Sequence, residues 1–285
     1  YGGSDNDPRS PFLTLRPGDR YDLANRRVIS RAIDGEPLRE SFVDSVIVAQ
    51  LGTARATVLV ARAGKVLVNK SYNVPDDSAG QPGSRYATYM PTTTVPQFEL
   101  GNLSLPFYSV IVQNYVREGR MRFDDALPAS PRLTVGDVLN NRFTPENAKL
   151  LADYVAARSG RTIAQVVSSR LFGPVGMHRT ELAANVAFRS NVDELYRFEL
   201  GLQDSRVFLS DSARLRDPSN LDTTMGWQAN DAIAQYAAPG GRRGAFVRFP
   251  QSRAVVILLT DSDAFDARLA AQAIAREMLA PRIDR

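Results

Sequence analysis

The stretch FELGNLSLPF, residues 98–107, is where the sequence places the side chains most relevant to chemistry. Apolar residues at helical spacing follow it, which predicts a buried helix that starts near Leu103, with Pro106 in its first turn. Asn102 is then the N-cap, at the positive end of the helix, where enzymes often hold a nucleophile or an anion. The predicted buried stripe consists of Phe107, Ile111, Val112, Tyr115 and Val116.

Three phrases of the sequence resemble a known family. Residues 98–101 form a Phe-x-x-Gly phrase ahead of the predicted helix, residues 171–180 read LFGPVGMHRT, and residues 225–227 read MGW. Together they resemble the serine beta-lactamase and penicillin-binding-protein superfamily, in particular its class C beta-lactamase and esterase branch. The resemblance covers roughly residues 55–280 in the family's order of elements, and it implies a beta-lactamase-like fold.

The resemblance implies that a Ser-x-x-Lys motif opens the buried helix, with serine as nucleophile and lysine as its proton acceptor. Laid on residues 98–101, the serine position falls on Asn102 and the lysine position on Leu105. Asparagine has no hydroxyl to acylate, and leucine cannot carry a proton. No serine stands three residues before any of the chain's lysines, which are Lys65, Lys70 and Lys149.

The two other catalytic phrases that the resemblance implies are also altered. A Tyr-x-Asn or Ser-x-Asn phrase corresponds to FTP, where Phe143 lacks the hydroxyl and Pro145 replaces the amide side chain. A Lys-Thr-Gly type of phrase on the cleft strand corresponds to APGG, where Ala238 replaces the cation and only glycines such as Gly240 match. Because Leu105, Phe143 and Ala238 are apolar, we expect them to close or dry the cleft.

Other polar residues are weaker candidates for chemistry. Ser104 follows the nucleophile position by two residues, about 200° around a helix, so we expect it to bond the backbone or a neighbouring loop. Arg242 and Arg243 follow a glycine pair and, with Ser104, are candidate contacts at the cleft mouth. We expect His178 to be a surface or structural histidine. No metal site is predicted, because the acidic groups end elements, where aspartate forms caps and turns; they are Asp124-Asp125 and Asp261-Ser262-Asp263.

Composition excludes several functional classes. The chain has 285 residues and no cysteine, which excludes disulfides, thiolate metal sites and cysteine nucleophiles. The net charge is +4, and arginines are spread along the chain without interleaved aromatics, so we expect no nucleic-acid binding. No stretch approaches the roughly 20 apolar residues of a transmembrane helix, and no basic-then-apolar leader opens the chain. Nothing in the sequence predicts a cofactor.

Strands are predicted near both ends of the chain. Residues 56–62 and 65–72 fit a hairpin that turns at Ala63-Gly64, and the preceding residues 41–48 fit either a helix or a strand. Toward the C-terminus, strands are predicted over residues 245–249 and 254–260. The second of these is apolar throughout, so we expect it to be covered on both faces.

Helices are predicted between these strands and after them. One starts with Thr144 as N-cap and Pro145 at its first position, and the next runs from Thr162 to a stop at Gly173-Pro174. A further helix starts at Ser190, with Asp193 three residues later. The terminal helix, over residues 264–279, is expected to bury Phe265, Leu269, Ile274 and Met278.

This order of elements predicts an α+β fold with an antiparallel sheet built from both chain ends, flanked by terminal helices, around an inserted helical subdomain. We expect residues 38–97 and 225–285 to form the sheet subdomain and residues 98–224 the helical subdomain. Residues 1–37 have weak periodicity and are predicted to be an extended arm, which acts as a mobile leader or as a strap.

The absence of all three catalytic phrases from a retained scaffold predicts a catalytically inactive beta-lactamase-like protein. It would act by binding or as an accessory or structural subunit, with a protein partner held through residues 1–37. The alternative is a serine hydrolase, esterase-like or peptidase-like, whose site is rebuilt around Ser104 with Tyr108 or around an arginine-assisted water. The resemblance implies a periplasmic or extracellular location.

Overall fold

A computed structural model of the chain describes residues 19–22, 27–30, 38–74, 96–140, 143–183, 186–204, 227–229 and 233–279. Residues 75–95 and 205–226, which include Met225-Gly226 of the MGW phrase, lie outside these residues.

The described residues contain both helices and strands. The helices are α1 (Glu40–Leu51), α2 (Leu105–Arg117), α3 (Val135–Leu139), α4 (Pro145–Ser159), α5 (Ile163–Val167), α6 (Gly173–Val175), α7 (Val192–Gln203) and α8 (Ala267–Leu279). The strands are β1 (Asp19–Asp22), β2 (Arg27–Ser30), β3 (Ala56–Arg62), β4 (Lys65–Tyr72), β5 (Phe98–Glu99), β6 (Ala126–Leu127), β7 (Ser130–Thr134), β8 (Glu181–Leu182), β9 (Phe188–Ser190), β10 (Gln228–Ala229), β11 (Ile233–Ala238), β12 (Arg242–Phe249) and β13 (Ala254–Thr260).

The main sheet has six antiparallel strands in the order β10-β11-β12-β13-β3-β4. It joins strands from the two ends of the chain, as the sequence predicts. Every residue of β13 is buried, because helices cover both faces of the sheet. Strand β4 is an edge of this sheet, and β1 of the predicted arm lies beside it.

Alternation of side chains along the strands sends them into two separate cores. One core lies between the sheet and the pair α1 and α8, and it takes Val58, Val60, Tyr236, Val256 and Leu258 from the strands. The other core lies between the sheet and the helices that include α2 and α7, and it takes Leu59, Ala61, Ala237, Phe246, Ile257 and Leu259.

The elements with strong local signals form where the sequence predicts them. Strands β3 and β4 pair as a hairpin whose turn residues, Ala63 and Gly64, have φ of 51° and 77°. Positive φ at both central residues is the geometry of the tight hairpin turns that match strand twist. Thr144 caps α4 through its hydroxyl, and Pro145 occupies the first helical position. Residues 41–48, which fit either type of element, are helical and belong to α1.

The predicted end of the helix after Thr162 and the predicted start of α7 are wrong. The helix that begins after Thr162 does not stop at Gly173-Pro174, since a π-helical turn over Ser168–Phe172 carries it into α6. Proline is tolerated there because it stands in the first turn of α6. The N-cap of α7 is Asn191 rather than Ser190, because Ser190 still belongs to β9 and pairs with Phe98.

The terminal helix also differs from its prediction in one buried position. Helix α8 begins at Ala267, and Phe265 is buried ahead of it. Leu269 is 54% exposed, whereas Ala267, Ala270 and Ile274 are buried. The helix therefore turns a face with small residues toward the sheet, and Leu269 lies on the opposite face.

Candidate functional site

Asn102 lies in a 3₁₀ turn, Gly101–Ser104, that connects β5 to α2. The residue is half-buried, and its carbonyl oxygen accepts a hydrogen bond from the Leu105 N–H. The α-helix itself begins only at Leu105, after Ser104. The prediction that Asn102 is the N-cap is therefore wrong, because an extra turn of tighter helix separates it from α2.

Leu105, which the resemblance aligns with the family's lysine, is closed to water. Leu105 is 2% exposed and belongs to the apolar core beneath α2. Phe143 packs against the same core, and its ring centroid lies 5.8 Å from that of Tyr108. Neither Leu105 nor Phe143 has a group that can accept a proton, so their side chains supply no base to this part of the site.

The hydroxyl groups nearest Asn102 in sequence are used inside the fold. Ser104 is fully buried, and its oxygen accepts a hydrogen bond from the Phe188 N–H at 3.0 Å. Tyr108 is also buried and donates its hydroxyl to the Val186 carbonyl at 2.7 Å. Burial raises the pKa of Tyr108 well above its ordinary value, so the phenol keeps its proton at neutral pH. Ser104 is thus not a contact at a cleft mouth, and this geometry does not support Ser104 and Tyr108 as a nucleophile and base.

Replacing Ser104 by alanine tests this structural role. The substitution leaves the buried Phe188 N–H without its acceptor, so we expect a loss of about 1–3 kcal/mol in the free energy of unfolding. Ser45→Ala is the matched control, since Ser45 is exposed and bonds the Phe42 carbonyl of its own helix. Urea unfolding of the two variants measures the difference, and equal losses would contradict the role given to Ser104.

Strand β11 lies directly against the turn that carries Asn102. A Cβ placed on Gly101 would stand 2.2 Å from the Ala237 carbonyl oxygen, and Gly101 has φ of 50°. Both the close approach and the positive φ require glycine at this position. The phrase Phe-x-x-Gly therefore has a physical reason here, because the backbone of β11 closes onto the start of the turn.

The strand residues that face the site differ from those the sequence indicated. Ala238 is the last residue of β11, and Gly240 lies in the 3₁₀ turn Pro239–Gly241 that follows. Ala237 carries the carbonyl against the turn, and Gln235, two residues earlier, is on the same face of the strand. Gln235 is a buried polar residue that the sequence did not indicate, since β11 is otherwise apolar and shows no alternation.

Solved structures share this arrangement of sheet and helices. A beta-lactamase from Sulfitobacter sp. EE-36 aligns with a TM-score of 0.63 at 13% sequence identity, over 84% of this chain and 97% of that one. An octameric penicillin-binding protein homologue from Pyrococcus abyssi aligns with a TM-score of 0.58 at 12% identity, over 84% of this chain and 76% of that one. A D-alanine carboxypeptidase from Burkholderia cenocepacia aligns with a TM-score of 0.57 at 13% identity, over 83% of this chain and 99% of that one.

The chain has the beta-lactamase fold. Sequence similarity extends over a much smaller part of the chain than structural similarity does. A D-aminopeptidase from Brucella anthropi is 44% identical over only 41 residues. That match covers 14% of this chain and 8% of the aminopeptidase. No protein-family model matches the chain.

In this beta-lactamase fold, the two arginines expected at the cleft mouth are engaged with neighbouring residues. Arg242 is exposed, and its guanidinium donates to the Asp263 carbonyl at 3.1 Å. Arg243 has φ of 64°, and its guanidinium forms an ion pair with the Asp263 carboxylate at 2.8 Å. Both side chains therefore fasten the start of β12 to the segment that precedes α8.

Helix α7 is buried along almost its whole length although it carries four charged residues. Glu199 forms an ion pair with Arg248 of β12, and both side chains are buried. The Arg248 guanidinium also lies 5.0 Å from the centre of the Trp227 ring. These contacts fix the helix against the sheet by charge as well as by apolar packing. The four charged residues are Asp193, Glu194, Arg197 and Glu199.

The remaining residues considered in the sequence analysis, His178 and Pro145, lie on the surface. His178 is exposed, and Pro145 is exposed at the start of α4. Across the described ranges, no group of three or more histidine, aspartate and glutamate side chains could hold a metal ion. None of the helices described is both long enough and apolar enough to cross a membrane.

Proposed function

We propose that this chain is a non-catalytic protein with the beta-lactamase fold, which acts by binding a protein partner or as an accessory subunit of an assembly. The observation that carries the proposal is the pair of residues at the start of the buried helix. The resemblance aligns Asn102 with the family's serine and the buried Leu105 with its lysine. The site therefore lacks both the attacking oxygen and the base that would activate it.

The geometry around this pair supports the same proposal. The hydroxyls of Ser104 and Tyr108 are committed to backbone groups at 3.0 Å and 2.7 Å, so neither is positioned to replace the missing serine. The backbone of β11 lies against Gly101, which leaves little room beside the turn. A substrate carbonyl would meet apolar side chains and backbone here instead of a nucleophile.

The predicted arm, residues 1–37, is the basis for proposing a protein partner. We propose that residues 1–37 hold the partner, because the arm contains the paired strands β1 and β2 and reaches the edge strand β4 of the main sheet. The penicillin-binding protein homologue from Pyrococcus abyssi is octameric, which makes assembly a reasonable role for this fold. We propose a periplasmic or extracellular location, as the resemblance to the family implies.

Acylation is the direct test of the inactive site. We expect intact-mass measurements to find no covalent adduct after incubation with a fluorescent penicillin, and no turnover of nitrophenyl acetate above background. We also expect Asn102→Ser to stay unreactive, since a serine without a proton acceptor is a weak nucleophile. Stoichiometric acylation of the wild-type chain would overturn the proposal, and acylation of Asn102→Ser alone would reveal a base that Leu105 does not provide.

The role of the arm is tested separately. We expect deletion of residues 1–37 to leave the helical circular dichroism signal unchanged and to lower the oligomeric state, which light scattering and size exclusion compare between the whole and the shortened chain. An unchanged assembly state would assign binding to the body of the fold. A change in the spectrum would mean that the arm is part of the folded body, and the tether would then be rejected.

A further inference from the structure

The carboxylate of Asp193 is buried where α7 meets the main sheet. Asp193 is 4% exposed, and its Oδ1 accepts a hydrogen bond from the Asn69 side-chain amide of β4 at 2.8 Å. Within the part of the chain that the structure describes, no lysine or arginine forms an ion pair with it. A buried carboxylate whose direct partner is a neutral amide is costly to ionise.

The charged side chains near Asp193 either form ion pairs with other residues or act on Asp193 without direct contact. Arg197, one turn along α7, forms its ion pair with Glu194 at 3.1 Å. Arg197 and Arg179 favour the ionised form of Asp193 from a distance, and Glu194 opposes it. From the sheet, the group that faces Asp193 is the neutral amide of Asn69.

The balance of these effects favours the protonated form. Burial raises the pKa of Asp193 from 3.8 to about 6, although Arg197 and the Asn69 hydrogen bond lower it in part. The folded protein then binds this proton about 100-fold more tightly than the unfolded chain does. Because the folded-state pKa is the higher one, the stability that this proton contributes is present below about pH 4 and is lost as the pH rises through 6.

We propose that Asp193 is a proton-sensitive contact between α7 and the sheet, which tightens when the medium becomes mildly acidic. A neutral carboxyl keeps an acceptor for the Asn69 amide without the cost of a buried charge. The contact is connected to the candidate site through β9 and β5. Helix α7 follows β9 directly, and β9 pairs with β5, the strand that leads into the turn of Asn102.

The test compares wild type with Asp193→Asn by urea unfolding from pH 7 to pH 4. Asparagine keeps the shape and cannot titrate, so the ratio of the wild-type to the variant folding constant should rise by about 50-fold as the pH falls. Asp153→Asn is the matched control, because Asp153 is an exposed aspartate paired with Lys149 on α4. Its ratio should change by less than about threefold over the same range. A flat ratio for Asp193→Asn would overturn the proposal.

A second variant and a second readout remain informative if Asp193→Asn folds poorly. Asn69→Ala removes a donor that favours the ionised carboxylate, so the midpoint of the pH dependence should move upward. In the wild-type protein, a buried carboxylic acid should give an infrared C=O band that disappears as the pH rises through 6. An unmoved midpoint in Asn69→Ala, or no such band, would reject the assignment to Asp193.

Discussion

Replacing Glu199 by leucine is expected to lower the free energy of unfolding by about 3–5 kcal/mol, because it leaves a buried guanidinium without its counter-charge. Arg248 is 2% exposed and Glu199 is fully buried, so water cannot replace the lost carboxylate. The carboxylate also accepts a hydrogen bond from the Gln203 amide at 2.7 Å, which the substitution removes. Glu199 of α7 and Arg248 of β12 form this ion pair although they are 49 residues apart in the chain.

Urea unfolding at pH 7 measures this effect, and the double variant Glu199→Leu/Arg248→Met is its control. Removing both charges leaves an apolar contact, so most of the lost stability should return. Lys149→Ala breaks an exposed ion pair with Asp153 and should cost less than about 1 kcal/mol. If the double variant were as unstable as Glu199→Leu, shape rather than buried charge would account for the loss.

Replacing Gly101 by alanine is expected to cost about 2–5 kcal/mol, the second large effect. Gly101 has a left-handed backbone conformation, which costs a residue with a Cβ about 1–2 kcal/mol of stability. The new methyl group would also stand 2.2 Å from the Ala237 carbonyl oxygen, and overpacking of this kind costs about 1–3 kcal/mol. Backbone cannot move aside as easily as a flexible side chain, so the strand must shift away from the turn.

Gly119→Ala separates the two contributions to this loss. Gly119 has φ of 70°, and a Cβ there would have no atom within 4 Å, so only the conformational cost of about 1–2 kcal/mol applies. The difference between the two variants in thermal or urea unfolding measures how tightly β11 closes on the site. Equal losses would mean that the turn and the strand separate without cost.

Local signals were sufficient for much of the fold. The hairpin of β3 and β4, the apolar strand β13 and the start of α4 at Thr144 each depend on neighbours in the sequence. Alternation, a tight turn and an N-cap with proline at the first helical position act over a few residues, so they can be predicted without knowing the tertiary structure. A sheet that joins strands from both ends of the chain was also predicted, and it is present.

Where tertiary contacts compete with local preferences, the sequence was a poor guide. The 3₁₀ turn around Asn102 forms where β11 lies against Gly101, a contact that no local pattern indicates. The face that α8 buries takes alanines at Ala267 and Ala270 rather than the larger Leu269, because the helix packs closely on the sheet. As a residue type, serine fits either a reactive hydroxyl or a structural one at position 104. Only the burial of Ser104 in the folded protein decides for the structural role.

The sequence by itself determined which chemical groups exist near the start of the buried helix. An amide at Asn102 and an alkyl chain at Leu105 are covalent facts, and no folding of the chain changes what these side chains can do. Tertiary structure alone decided which polar groups lose their water. Asn69 and Asp193 stand 124 residues apart, yet they meet in the folded protein, and burial at this place raises the pKa of Asp193. Desolvation depends on every element packed around a group, so it cannot be predicted from the residues on either side of it.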